Sequence, residues 1–349
     1  MNRIIEPYVL TNGNCPAFWL IDNLWMPLAT SFLTDNRFTL IEQVCATGIG
    51  GPPTHTHPTD EGFYVLEGQC TFQAGGRTVV AGPGTFISVP RNIEHSFTVD
   101  QAGTRVLNFY TPAGFEMILM SIAMPAQERV PPPPNAVPLP PRWIVEELSR
   151  EYGQTAVLGL PFVDIPNAEN TVTRPLEGST VQPYGLRAGE APTFWWDSIL
   201  WSLLASGEQT GGSYSLIEEI CPRDSGPPAH THEQDEALYL IDGALTVMAG
   251  SKRFEMNSGS FAYIPAGTVH SFRADSAQTR LLNFYFPAGF ERTIQQFAEP
   301  ALTRTRPLEA KHSPDIPEPL KALYERIGTR LVAVPDFLRE RTDEVSTLT

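Results

Sequence analysis

The sequence predicts an all-β protein made of two copies of one small barrel or sandwich. Two observations carry that expectation: the chain repeats itself at long range, and each repeat is a series of short β-rich runs cut by turns. The 33 prolines and 27 glycines among 349 residues suit short strands better than long helices. With 42% apolar and 18% charged residues, the composition is that of a globular protein, and the length suits two domains.

The repeat opens with Pro7-Tyr8-x-Leu10-x-x-Gly13-x-x-Pro16-x-Phe18-Trp19, which recurs 176 positions on as Pro183-Tyr184-x-Leu186-x-x-Gly189-x-x-Pro192-x-Phe194-Trp195. Trp25 corresponds to Trp201 and Cys45 to Cys221; one residue is then lost, and the displacement is 175 from there on. Gly51-Pro52-Pro53 becomes Gly226-Pro227-Pro228, and Asn108-Phe109-Tyr110 becomes Asn283-Phe284-Tyr285. Pro112 to Glu116 becomes Pro287 to Glu291, and Gly153 and Phe162 find Gly328 and Phe337. So long a period is a duplicated domain rather than a solenoid, with domains expected over 1–172 and 173–349.

Within a copy, Gly62 to Leu66, Thr78 to Ala81 and Thr85 to Val89 are rich in β-branched and aromatic residues and read as strands. Glu67-Gly68-Gln69, Ala74-Gly75-Gly76-Arg77 and Ala81-Gly82-Pro83-Gly84 read as the turns between them. Arg142 to Tyr152 and Pro317 to Gly328 instead carry apolar residues at three-to-four spacing, which predicts one short C-terminal helix per copy. Pro131 to Pro134 read as a stiff connector before the first helix. Trp19, Trp25, Trp195, Trp196 and Trp201 recur between the copies and read as core or interface residues.

Charge removes whole classes of function. Against 39 acidic residues stand 24 basic ones, a net of −15 with no basic cluster. A nucleic acid or an anionic membrane surface is therefore not an expected partner. The three lysines, Lys252, Lys311 and Lys321, sit in no Gly-rich phosphate loop. No apolar run approaches a membrane span and the N-terminus lacks a signal-peptide core, so the expected location is cytoplasmic. Cys15, Cys45, Cys70 and Cys221 form no CxxC pair. Cys45 and Cys221, at one position of both copies, read as small buried core residues.

Six of the seven histidines fall in two matching sets. His55-Thr56-His57, Glu61 and His95 form the first; His230-Thr231-His232, Glu236 and His270 form the second. Side chains at i and i+2 of a strand share a face, so each HxH pair can grip one ion. Glu61 returns to that face if the chain re-enters the strand after Pro58, and His95 must come from another strand. Three imidazoles and a carboxylate suit a divalent Fe, Mn, Ni, Co or Cu ion, and Zn is chemically sensible too, one ion per domain. A single strand histidine is most often a packed or surface residue; two complete sets at one fixed displacement are not an accident of composition. His312, outside both sets, reads as a surface residue.

With these residues in view, the chain resembles the cupin superfamily. Gly51 to Gly68 and Gly226 to Gly243 are similar to the first cupin motif. Gly84-x5-Pro90-x4-His95 and Gly259-x5-Pro265-x-Gly267-x2-His270 are similar to the second. The usual glycines are replaced by Ile49 and Asp224 in motif one and by Asn92 in the first motif two, where Asn also reaches left-handed backbone angles. The motif-two asparagine is absent at Val99 and Ala274. The resemblance implies a bicupin, two jelly-roll barrels each with an internal metal site. Among bicupins, the doubled P-Y-x-L-x-x-G opening and the stretches Thr104 to Phe115 and Thr279 to Phe290 resemble the bacterial quercetin 2,3-dioxygenase family. That resemblance implies O2-dependent opening of a flavonol ring with release of carbon monoxide.

On that reading Glu61 or Glu236 removes the proton of an enolic aromatic substrate. Phe97 and Phe272, two residues past His95 and His270, are expected to wall the substrate, with Phe115 and Phe290 as further candidates. Two alternatives stand beside it: a metal-dependent decarboxylase or isomerase of a small organic acid, and a non-catalytic ligand-binding cupin. A carboxylate substrate would favour a pocket arginine, and Arg91, with Ala266 as its counterpart, is the arginine of motif two nearest a ligand. Duplicated barrels commonly assemble further, so a homodimer is expected.

Overall fold

The computed structural model describes residues 5–11, 13–48, 53–156, 181–307 and 317–332. Gly51, Pro52, Ile49, Phe162, His312, Phe337 and the boundary expected at 172/173 lie outside the described residues. The chain is all-β with a few short helices, and it forms two compact units, each a jelly roll of two antiparallel sheets.

In the first unit an eight-stranded sheet runs Met124–Pro125, Phe18–Leu20, Asn23–Ala29, Thr39–Cys45, Thr104–Thr111, Asp60–Glu67, Phe86–Val89, Tyr184–Leu186. A five-stranded sheet runs Thr155–Ala156, His55–Thr56, His95–Val99, Cys70–Ala74, Arg77–Ala81. The second unit repeats the plan. Its larger sheet has Ser215–Pro222, Gln278–Phe286, Asp235–Asp242 and Phe261–Ile264 at its centre, and its smaller sheet has His230–Thr231, His270–Ala274 and Ala244–Ala249. The leading strand of each repeat joins the sheet built from the other repeat and so belongs to that repeat's compact unit. Tyr8–Leu10 pairs with Phe261–Ile264, and Tyr184–Leu186 pairs with Phe86–Val89.

Period-two alternation explains the smaller sheets. In Cys70–Ala74 and His95–Val99 every second residue is buried, so Cys70, Phe72, Ala74, His95, Phe97 and Val99 point inward. The turns come where expected: Gly68 (φ 80°), Gly75 (φ 53°) and Gly76 (φ 76°) supply the left-handed backbone that L side chains avoid. Asn92 adopts the left-handed conformation of its counterpart Gly267 (φ 62° and 77°). Its backbone N–H then donates to His57 O at 2.8 Å, as Gly267 does to His232 O at 2.7 Å.

The expected helices form at Arg142–Glu151 and Glu318–Arg326. Trp25 and Trp201 are buried, whereas the indoles of Trp19 and Trp195 donate to Val130 O and Thr305 O. All four cysteines are free and buried. Burial pushes the Cys45 and Cys221 thiols far above their usual range, as core residues require. No helix among the described residues is long and apolar enough to cross a membrane.

Phe63, Val65, Phe72, Ile87, Val89, Phe97 and Val106 form one interior, and Leu238, Leu240, Val247, Ile264, Phe272 and Leu281 belong to the other. Each such side chain contributes about 1.5–3 kcal/mol on burial, against about 1 kcal/mol for a hydrogen bond. The apolar end therefore holds each jelly roll together and leaves the histidine end free to carry polar side chains.

Candidate metal centre

His55 and His95 face each other directly across the small sheet, as do His230 and His270. Their ring centroids are 4.3 and 4.2 Å apart. His57 and His232 follow just past the same strands, 4.8 Å from His95 and His270 respectively, centroid to centroid. Glu61 and Glu236 arrive differently from the sequence expectation. The chain does not re-enter the histidine strand after Pro58; it crosses over, and Glu61 lies in the eight-stranded sheet, paired with Tyr110 and Val89. The carboxylate therefore reaches the centre from the sheet opposite the histidines.

All eight side chains are buried, between 2% and 6% exposed. Every imidazole spends Nδ1 on a backbone carbonyl two residues away. His55, His57 and His95 donate to Pro53 O (3.0 Å), Thr59 O (3.0 Å) and Ile93 O (2.8 Å). His230, His232 and His270 donate to Pro228 O (2.9 Å), Gln234 O (2.9 Å) and Thr268 O (2.8 Å). These bonds fix the tautomer and leave the Nε2 lone pairs for the centre, the arrangement in which imidazole binds metals.

The ligand atoms of His230, His232, Glu236 and His270 all lie within 4.8 Å of one another, as do those of His55, His57 and His95. Glu61 Oε2 is 3.1 Å from His57 Nε2 and 2.7 Å from His95 Nε2; Glu236 Oε2 repeats both distances to His232 and His270. Yet His95 Nε2 and His270 Nε2 are buried with no hydrogen-bond partner. Two lone pairs in near contact, and an orphaned buried nitrogen, fit an ion between them. Ligands bonded to one metal at about 2.1 Å stand roughly 3 Å apart when adjacent.

The electrostatics agree. Burial, then the neighbouring His95 and His57, holds His55 well below the usual imidazole range, hence neutral. Burial, then His270, brings His230 down to about 4. Burial alone would raise the Glu61 carboxyl, but His95 and His57 outweigh it and hold it well below the carboxylate range; His270 and His232 do the same for Glu236. Neutral His55 and His230 with an ionised carboxylate are states a divalent cation needs. At His270 burial is outweighed by the Glu236 charge, which raises it, and a bound cation would displace that proton.

A second layer of residues escaped the sequence reading. Asn108 Nδ2 donates to Glu61 Oε1 at 2.9 Å, and Asn283 Nδ2 to Glu236 Oε1 at 2.8 Å. Tyr285 hydroxyl is 3.3 Å from Glu236 Oε1. Burial, then the glutamate charge, pushes the Tyr110 and Tyr285 hydroxyls well above their usual range, so both remain donors. Behind Asn108, Gln43 Nε2 donates to Asn108 Oδ1 at 3.0 Å; its counterpart Glu219 accepts from Asn283 Nδ2 at 3.0 Å. The signal was present in the repeated Asn-x-Tyr, whose period of two puts both side chains on one face.

A cavity of about 380 Å³ reaches the rings of His57 and Tyr110 in the first unit, walled by Phe115, Ile118, Tyr152 and Arg150. Phe115 stacks on Tyr110 with centroids 4.5 Å apart, and Phe290 on Tyr285 at 4.9 Å. Phe97 instead packs on Phe63 and Phe72, and Phe272 belongs to the second interior. Arg91 is committed to Asp60, through two guanidinium bonds of 3.1 and 2.6 Å and its own backbone N–H.

Two jelly rolls, each with an interior set of three histidines and a glutamate, have the architecture of a bicupin. The family model described as a cupin domain matches residues 43–110 and 216–285, one stretch in each unit. In particular, the chain resembles bacterial quercetin 2,3-dioxygenase: it is 25% identical over 302 residues to that of Bacillus subtilis (strain 168), covering 84% of this chain and 86% of the relative. An uncharacterised protein of Streptomyces coelicolor is 32% identical over 91 residues, which are 26% of this chain and 82% of that protein. Among solved structures, oxalate decarboxylase from Bacillus subtilis shares the fold with a TM-score of 0.55 at 12% identity, over 82% of this chain and 78% of its own.

Proposed function

We propose that this chain is a metal-dependent dioxygenase that cleaves a flavonol-like or other enolic aromatic substrate with O2. His55, His57, Glu61 and His95 would hold one divalent transition metal, and His230, His232, Glu236 and His270 a second. The observation that carries the reading is the cavity against His57 and Tyr110. Its walls are largely aromatic and apolar, and its size is that of a small-molecule site. The relationship to quercetin 2,3-dioxygenase along most of both chains supports the same class of substrate.

An ion held by these residues would supply a Lewis-acid centre. The protein does the rest. Glu61, ionised and buried, takes the enolic proton at Oε2. Asn108 holds Oε1 and Tyr110 bonds the same carboxylate, keeping it aimed while it gains and loses that proton. Phe115 and Tyr152 bind the flat ring system, and the buried setting keeps water from competing with it.

The small-acid alternative would need a cation beside the centre. Arg91 is occupied by Asp60, and Arg150 is exposed at the rim of the cavity, 3.3 Å from Glu147. Metal-loaded protein mixed with quercetin in air should consume O2 and release carbon monoxide. Metal without O2 uptake would remove this substrate class, and binding without turnover would favour a ligand-binding cupin.

A further inference from the structure

The two units differ at the mouth of the site. In the first, Thr59 turns back on the centre, with Oγ1 2.8 Å from His57 Nδ1, and the space between Thr59, Gly114 and Tyr152 is part of the cavity. The corresponding residues of the second unit are Gln234, Gly289 and Ile327. There the longer side chain spans the gap. Gln234 Nε2 donates to Ile327 O at 3.2 Å, and lies 2.8 Å from where a Cβ on Gly289 would sit.

The closure is tight. Gln234 is 7% exposed and Ile327 6%, whereas Thr59 and Tyr152 are half-buried. At the exposed rim Glu233 takes the place of Pro58: its side chain lies 2.6 Å from where a Cβ on Gly328 would sit, against 3.0 Å for Pro58 and Gly153. The walls change as well, Ile118 being replaced by Thr293 and Arg150 by Glu325.

We propose that the two centres divide the work: the N-terminal centre admits the organic substrate, and Gln234 is a plug that bars it from the C-terminal one. A glutamine reaches two heavy atoms further than a threonine, far enough to bridge the loop after His232 to the end of the helix Glu318–Arg326. The buried amide bond that holds it is strengthened by its apolar surroundings. The C-terminal centre keeps its four side chains intact and serves as a structural ion site. This inference rests on reading both sets as metal centres.

The test is ligand stoichiometry under argon. Protein reconstituted with iron(II) is titrated with 4-nitrocatechol, an aromatic chelator with an absorbance change on binding, and metal per chain is measured in the same samples. The expected result is two metals and one chelator per chain. Gln234→Thr, or the milder Gln234→Ala, should raise chelator to two per chain, and Thr59→Gln should abolish its binding while both metals stay. Two chelators on the unaltered protein, none on it with both metals present, or no response to any of the three substitutions would overturn the plug. Failure to bind metal at all would instead overturn the reading beneath it.

Discussion

Glu61 and Tyr110 stand opposite each other on neighbouring strands of the eight-stranded sheet, and Glu236 and Tyr285 keep the same register. Asn108 and Asn283 hold each carboxylate by Oε1, the oxygen other than the one nearest His95 and His270. Outer partners of this kind are worth about 10–100-fold in metal affinity. Asn108→Ala should weaken the first centre by that factor and Tyr110→Phe by less, without loss of fold. Competition with a coloured chelator measures it, and unchanged affinity in both variants would show that Glu61 needs no support.

Phe115 walls the cavity, whereas Phe290 stacks on Tyr285 in the second unit, where Gln234 donates to Ile327 O. Loss of a phenylalanine contact removes about 1.5–3 kcal/mol of apolar burial. Phe115→Ala should therefore raise KM for a flavonol roughly 10- to 150-fold, with a smaller change in kcat, and Phe290→Ala should leave KM near its original value. Steady-state O2 uptake separates the two. Equal effects would contradict a substrate bound at the first centre.

Glu219 sits where the first unit has Gln43, and burial raises its pKa to about 8 from 4.5. Between those values the folded chain holds a proton that the unfolded chain has released. Stability from this group is thus complete below about pH 4.5 and falls as pH rises towards 8. Glu219→Gln, which copies Gln43, should match the parent at pH 4.5 and be more stable by a few kcal/mol, in order of magnitude, at pH 8. Urea unfolding of metal-stripped protein at both pH values checks it; a gain at pH 4.5 alone would reverse the assignment.

The four thiols are all buried, and burial raises the pKa of each. Native protein should react with a thiol reagent at well under one equivalent per chain within minutes, and with four equivalents once unfolded. Fast reaction of one native thiol would mark an opening in the barrel that its packing does not provide.

The duplicated architecture was legible because one residue pattern occurs twice, and strand alternation with left-handed turns does the rest. The histidine positions were legible for the same reason: HxH is a local feature, and His95 could be paired with His55 once two copies agreed. Three things were not legible. Glu61 approaches from the opposite sheet because the chain crosses over at Pro58, a tertiary event that even spacing cannot report. That Tyr8–Leu10 and Tyr184–Leu186 each join the sheet of the other repeat is invisible to a repeat pattern that places each at the head of its own copy. Phe97 shares the inward side of the strand with His95, yet that side is deep enough to hold both a centre and a packed interior; the cavity wall is drawn instead from Phe115 and Tyr152, which follow the barrel strands in sequence.

The central claim is that each set of three histidines and a glutamate holds one metal ion. It is tested most directly by elemental analysis of protein reconstituted with iron(II), alongside the double variants His55→Ala/His57→Ala and His230→Ala/His232→Ala. The account predicts two ions per chain in the parent and one in each variant, with the fold retained. No metal in the parent after reconstitution, or two in either variant, would contradict it.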